Sequence, residues 1–122
     1  PTGYLLVDGG TNSSVQFMSG SSPIPIEKPD ILIAHTLAAQ YLGKKLVYLE
    51  AGSGAKNPIP NELIKAVKKH IDIPIIVGGG IRYPEAAYAK VQAGASYIVI
   101  GSAIEDNSTE IIKEFADAIH RK

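Results

Sequence analysis

Hydrophobic positions fall into two alternating patterns along the chain. Residues 4–7, 46–49, 75–77 and 97–100 are short, nearly unbroken apolar runs rich in β-branched and aromatic side chains, and each predicts a buried strand. The stretches between them carry helical spacing. Residues 30–42 follow Pro29 and stop at Gly43, and residues 84–93 open on Pro84 and stop at Gly94, so both predict helices. Residues 61–70 put Leu63, Ile64, Val67 and Ile71 on one face and Lys65, Lys68 and Lys69 elsewhere, as in an amphipathic helix. A closing helix is predicted over residues 107–120. Its capping box would be Asn107 and Glu110, with Ile111, Ile112, Phe115, Ala118 and Ile119 at helical spacing. Residues 13–18 could add a small strand, and residues 21–25 read as loop. Apolar strands alternating with helices predict an α/β fold whose parallel sheet is covered on both faces.

Composition narrows the class further. The chain has 122 residues and 12.9 kDa, 45% apolar and 20% charged, enough for one domain with a buried core. Twelve basic residues balance twelve acidic ones, so the basic footprint of a non-specific nucleic-acid binder is absent. The lack of cysteine removes disulfide scaffolds, thiolate metal sites and Cys nucleophiles together, and a reducing cytoplasm is the expected compartment. No apolar run nears the roughly 20 residues of a membrane span, and no basic-then-apolar leader opens the chain. Reaching a strand by Tyr4 is what a numbering that begins inside a larger protein would give.

Parallel α/β folds bind ligands at the carboxyl ends of their strands. The predicted strands run into Asp8-Gly9-Gly10, Glu50-Ala51-Gly52-Ser53-Gly54, Gly78-Gly79-Gly80 and Gly101-Ser102. Glycines let backbone N–H groups approach an oxyanion, and a following helix N-terminus adds partial positive charge. One such cluster could simply be a tight turn. Several on one rim point to a backbone cradle for phosphate.

Tyr48 and Glu50 are two apart in a predicted strand and share a face, whereas Val47 and Leu49 take the other. A carboxylate on a sheet face is costly unless it sits at a wet, ligand-bearing mouth. Glu50 is therefore a candidate general base with Tyr48 orienting the substrate, set against a solvated Glu and a core Tyr. His35, His70 and His120 fall in predicted helices without metal-ligand spacing and read as surface or satisfied core histidines. Asn12-Ser13-Ser14 and Asn107-Ser108-Thr109 match a glycosylation pattern that the lack of a leader makes incidental. Neither a GxGxxG nor a GxxxxGK[ST] motif occurs, which disfavours nucleotide binding.

These motifs resemble a known family. Tyr48-Leu49-Glu50-Ala51-Gly52-Ser53-Gly54-Ala55, Val77-Gly78-Gly79-Gly80-Ile81-Arg82 and Ile100-Gly101-Ser102 are similar to the geranylgeranylglyceryl phosphate synthases and the related bacterial heptaprenylglyceryl phosphate synthases. Pro23-Ile24-Pro25 and Ala38-Ala39-Gln40-Tyr41-Leu42-Gly43 extend the resemblance over nearly the whole chain. It implies a TIM barrel that joins a prenyl (geranylgeranyl) diphosphate to the primary hydroxyl of sn-glycerol 1-phosphate, giving an archaeal-type ether-lipid precursor. Glu50 would take the hydroxyl proton and Tyr48 would position the glycerol. The stretch Tyr48, Leu49, Glu50, Ala51, Gly52, Ser53 and Gly54, with Gly79, Gly80, Gly101 and Ser102, would form the glycerol-phosphate site.

A (β/α)8 barrel needs roughly 250 residues, and the four units here resemble the family's fifth to eighth. The resemblance therefore implies the C-terminal half of a single barrel domain, active with its N-terminal half. That other half would hold the ligands for Mg2+ and much of the diphosphate and prenyl surroundings; Asp8 and Asp106 are not assigned as substitutes. A homo-oligomer without nucleic acid, in transient contact with a membrane surface, is the implied setting. Two alternatives stand beside this reading: another phosphate-handling TIM-barrel enzyme, such as an isomerase or synthase of histidine or thiamine metabolism, and an inactive self-associating half-barrel that only binds phosphate.

Overall fold

The structure, a computed structural model, describes residues 1–9, 24–52, 55–101 and 109–121. The expectations for a strand over 13–18, for a loop over 21–23 and for Asn107 as a cap lie outside the described residues. Eight elements alternate: β1 (Thr2–Leu6), α1 (Pro29–Tyr41), β2 (Leu46–Glu50), α2 (Asn61–Lys68), β3 (Ile75–Gly78), α3 (Pro84–Ala93), β4 (Tyr97–Val99) and α4 (Thr109–Ile119). The strands form one parallel sheet in the order β1-β2-β3-β4. Each strand lies beside the next in sequence, with a helix in every connection that the described residues cover.

The first strand begins two residues before its apolar run because Thr2 already pairs with Leu46, while the Pro1 carbonyl accepts Lys45 N–H at 2.9 Å. Val7, read as part of the strand, forms instead an isolated parallel bridge with Ile24, though its N–H still reaches the Glu50 carbonyl at 2.8 Å. Ile24 thus covers the outer edge of β1 at its carboxyl end. Helix α2 is shorter than its pattern because the chain tightens at its end, where His70 N–H bonds to the Val67 carbonyl at 2.9 Å.

Strand alternation separates the two faces. Val47, Leu49, Ile75 and Val77 are fully buried toward the helices. Leu32, Thr36 and Ala39 of α1, Leu63, Ile64 and Val67 of α2, Ala87 and Ala93 of α3, and Phe115 of α4 complete that core. Small residues allow close approach, since a Cβ on Gly3 would lie 2.9 Å from Ala39 Cβ. Two buried polar side chains have partners: Thr36 Oγ1 donates to the Ile33 carbonyl at 2.8 Å, and Lys90 Nζ donates to Asn61 Oδ1 at 2.7 Å. Burial pushes the Lys90 ammonium pKa below its usual range, so the Asn61 contact offsets part of the cost of holding that group between α2 and α3. Ile64→Val deletes one methylene at a site with no exposure and is expected to cost about 0.5–1.5 kcal/mol, read as a melting shift of a few degrees.

The opposite face has a different character. Tyr4, Tyr97 and Val99 are exposed there beside half-buried Tyr48 and Glu50. Among the described residues no strand pairs with the outer side of β4, and only the Ile24 bridge lies outside β1.

Candidate active site

Glu50 is the last residue of β2, level with Leu6 of β1 and Gly78 of β3, while Tyr48 is level with Tyr4 and Ile76. In a parallel sheet this register puts Tyr4, Tyr48 and Glu50 on one face, with Glu50 at the carboxyl end of β2 and the two tyrosines one step back from it. The Tyr4 and Tyr48 rings lie 5.2 Å apart, tilted by 45°. Tyr48 hydroxyl donates a hydrogen bond to the Glu50 carboxylate, and Gly52 N–H donates to Glu50 Oε1 at 2.9 Å. The carboxylate is thereby held in one orientation. About four lone-pair sites belong to a carboxylate, so two bonds leave capacity to accept a proton.

The third strand supplies the floor. Tyr48 hydroxyl and Glu50 Oε2 lie over Gly78, 2.7 and 3.1 Å from where a Cβ would stand. At Gly79, whose φ is +89°, a Cβ would lie 2.7 Å from Glu50 Oε1 and 2.8 Å from both N and O of Gly52. Only glycine leaves room for Glu50 between the two loops.

Neighbouring loops are stitched together. Ala51 N–H bonds to the Gly78 carbonyl at 3.0 Å and Asn57 N–H to the Gly9 carbonyl at 3.0 Å, and Gly9 packs against the Ala51 carbonyl and the Ala55 methyl. Gly80 packs on the backbone of Asn57 and Pro58. Arg82 reaches from beyond β3 to the Ala55 carbonyl at 2.6 Å and the Lys56 carbonyl at 3.3 Å.

Burial, then the hydrogen bond to Glu50 and its charge, pushes the Tyr48 phenol well above its usual range, with Tyr4 adding to the shift. Tyr4 rises for the same first reason, with the Glu50 charge behind it. Both therefore keep their protons past about pH 10, where phenols of the unfolded chain ionise. Above that pH the unfolded state has released protons the folded state still holds, so stability falls as pH rises. In an ultraviolet titration of the six tyrosines, the highest tyrosinate steps should vanish in Tyr4→Phe and Tyr48→Phe. A single step near pH 10 for all six would contradict this electrostatic picture.

The other expected site residues are placed as follows. Leu49 is fully buried on the helical side, leaving only its backbone near the site. Ala51 and Gly52 are buried in the loop after β2, and Gly79 and Gly80 are half-buried in the turn facing it. Gly101 is exposed beyond β4 with open space where a Cβ would stand. Ser53, Gly54 and Ser102 lie outside the described residues. Among the described residues no three His, Asp or Glu side chains converge as metal ligands. His35 is exposed on α1, while His70 and His120 follow the ends of α2 and α4, and His70 Nδ1 lies 2.7 Å from the Ala66 carbonyl. Sequence reasoning passed over Tyr4 and Arg82. Parallel pairing of the first two apolar runs could have found Tyr4, whereas the reach of Arg82 required the folded loops.

Comparison with known proteins follows the same lines. The sequence profile of the PcrB family matches residues 1–119. The geranylgeranylglyceryl phosphate synthase of Thermococcus kodakarensis is 50% identical over 122 residues, covering 99% of this chain and 48% of that protein. That of Chitinophaga pinensis is 49% identical over 119 residues, covering 98% of this chain and 47% of that protein. The solved (S)-3-O-geranylgeranylglyceryl phosphate synthase from Thermoplasma acidophilum, in complex with substrate sn-glycerol-1-phosphate, superposes with a TM-score of 0.92 at 40% identity. It is matched over 100% of this chain and 49% of its own. Orotidine 5'-phosphate decarboxylase from Pyrococcus horikoshii, at 20% identity and a TM-score of 0.65, shares the fold alone. The chain spans about half the length of the curated relatives it matches. Its four parallel strands and alternating helices make up half of a (β/α)8 barrel.

Proposed function

The chain belongs to the PcrB family, and from that premise we propose that it is the C-terminal, glycerol-phosphate half of a prenyltransferase joining geranylgeranyl diphosphate to sn-glycerol 1-phosphate. The observation that carries this reading is the Glu50 carboxylate, held by Tyr48 and Gly52 over the glycines of β3 at the sheet's carboxyl edge. Glu50 accepts the proton of the glycerol hydroxyl. The hydroxyl oxygen then bonds to the first prenyl carbon, whose bond to oxygen breaks as diphosphate departs with the electron pair. Tyr48 orients both the carboxylate and the glycerol. Backbone N–H groups of Ser53, Gly54, Gly79, Gly80, Gly101 and Ser102 bind the phosphate.

Magnesium is the metal we assign to the complete protein, where it would neutralise diphosphate charge. The described residues here offer it no ligand cluster, and its carboxylates belong to the N-terminal half of the barrel. That half also covers the exposed Tyr4, Tyr97 and Val99. A different surface, the outward stripe of Ile31, Ala34, Ala38, Tyr41 and Leu42 on and just after α1, supports a homo-oligomer, because apolar stripes of this kind mark interaction sites. Among the described residues no helix is long and apolar enough to cross a membrane. The setting we propose is cytoplasmic, with transient membrane contact to meet the prenyl chain.

The test is product analysis on the complete protein supplied with sn-glycerol 1-phosphate, geranylgeranyl diphosphate and magnesium. A prenyl ether of glycerol phosphate with release of one diphosphate is the expected result. Binding of glycerol phosphate without product would leave a phosphate binder, and failure to bind it would point to another phosphate-handling barrel.

A further inference from the structure

We infer that Arg82 is a positioning residue for the phosphate cradle: its guanidinium ties the loop after β2 to the turn after β3 and so holds together the two loops that carry the cradle's backbone donors. The inference rests on the proposed glycerol-phosphate site. Arg82 Nη2 donates to the Ala55 carbonyl at 2.6 Å, while Nη1 donates to the carbonyls of Lys56 at 3.3 Å and Gly80 at 3.4 Å. One planar fork thus gathers three carbonyls from two loops that are 24 residues or more apart in sequence (80 − 56 = 24). Carbonyls aimed at the guanidinium turn the opposed N–H groups of the same trans peptides away from it. One of them, Asn57 N–H, reaches the Gly9 carbonyl at 3.0 Å, which extends the tie to the end of β1.

The two loops also touch where this clamp closes. A Cβ on Gly80 would lie 2.8 Å from Pro58 N and 2.9 Å from the Asn57 carbonyl carbon, so the two loops pack backbone against backbone there. Carbonyls converging without a cation would repel, and Arg82 offsets that repulsion. A lysine, as a single point donor, cannot span the three acceptors. Arg82 therefore acts on the phosphate through the backbone and touches none of the reacting atoms.

The experiment compares wild type, Arg82→Gln and Arg82→Lys in the complete protein, with both halves of the barrel. It measures sn-glycerol 1-phosphate affinity against salt, KM for each substrate, and amide exchange of residues 55–57 and 79–81 without ligand. In Arg82→Gln the dissociation constant and KM for glycerol phosphate should rise about ten- to a hundredfold, the range for lost hydrogen bonds to a charged group. The KM for prenyl diphosphate and the salt slope should stay put, exchange in both loops should quicken, and Arg82→Lys should recover little. Full recovery by lysine or a flattened salt slope would overturn the inference in favour of direct phosphate contact. Unchanged affinity and exchange would overturn it outright. If wild type itself fails to bind glycerol phosphate, the proposed function falls, and the clamp is then judged by the exchange data alone: unchanged protection refutes it.

Discussion

Glu50→Gln is expected to lower turnover by about 10²–10⁴-fold, the span removed with a positioned general base, and to leave sn-glycerol 1-phosphate binding at least as tight. Glutamine has the same shape and retains one oxygen for Gly52 N–H, while its NH2 group can donate to the Tyr48 hydroxyl oxygen where the carboxylate had accepted from it. What it lacks is a site basic enough to take the hydroxyl proton. It also lacks the negative charge that repels a phosphate nearby, so affinity has no reason to fall. The tyrosines give an internal control. Part of the upward shift at Tyr48 and Tyr4 comes from the Glu50 charge, so both should titrate lower in the variant while staying above ordinary phenols, because burial is the larger cause. Single-turnover kinetics with both substrates bound checks the rate, and ultraviolet titration checks that only the charge was removed. Turnover within a few-fold of wild type would remove Glu50 from the proton transfer.

The element order was readable because each strand is a short apolar run and each helix carries either end punctuation or an amphipathic spacing. Leu63, Ile64 and Val67 fell on the buried face that their spacing required. Pairing of Tyr48 with Glu50 followed from period two, and burial of Leu49 on the far side from the same period. Boundaries were less legible, since they depend on contacts outside the run: Thr2 is strand because Leu46 lies beside it, and Val7 leaves the strand to bridge Ile24. The hidden part of the site is what one loop does to another. No periodicity announces that Gly52 N–H serves Glu50, or that Arg82 crosses to the Ala55 carbonyl 27 positions away. Helix α3 hid its buried face for a different reason. Its core positions are Ala87, Lys90 and Ala93, so a lysine sits where an apolar pattern would be sought.

Gly79→Ala should damage both stability and activity, and Gly43→Ala separates the two causes. Both glycines have a left-handed φ, +89° at Gly79 and +88° at Gly43. An alanine at either should cost about 1–2 kcal/mol from that conformation. Nothing lies within 4 Å of a Cβ at Gly43, whereas at Gly79 it would meet Glu50 Oε1 at 2.7 Å and the Gly52 backbone at 2.8 Å. The Glu50 side chain could swing aside, but Gly52 is backbone held by its bond to Glu50 and cannot yield as cheaply. Overpacking of this kind adds about 1–3 kcal/mol. Relief requires either moving the turn after β3 or ejecting Glu50 from its bond with Gly52, and each displaces the base from the phosphate donors. A misplacement of about 1 Å can cost roughly a hundredfold in rate. Gly79→Ala should therefore melt about 5–15 °C lower and lose about a hundredfold in turnover. Gly43→Ala should show only the smaller melting shift with activity kept. Equal losses in the two variants would mean that backbone conformation alone explains the glycine at 79, and that Glu50 is not confined by the turn.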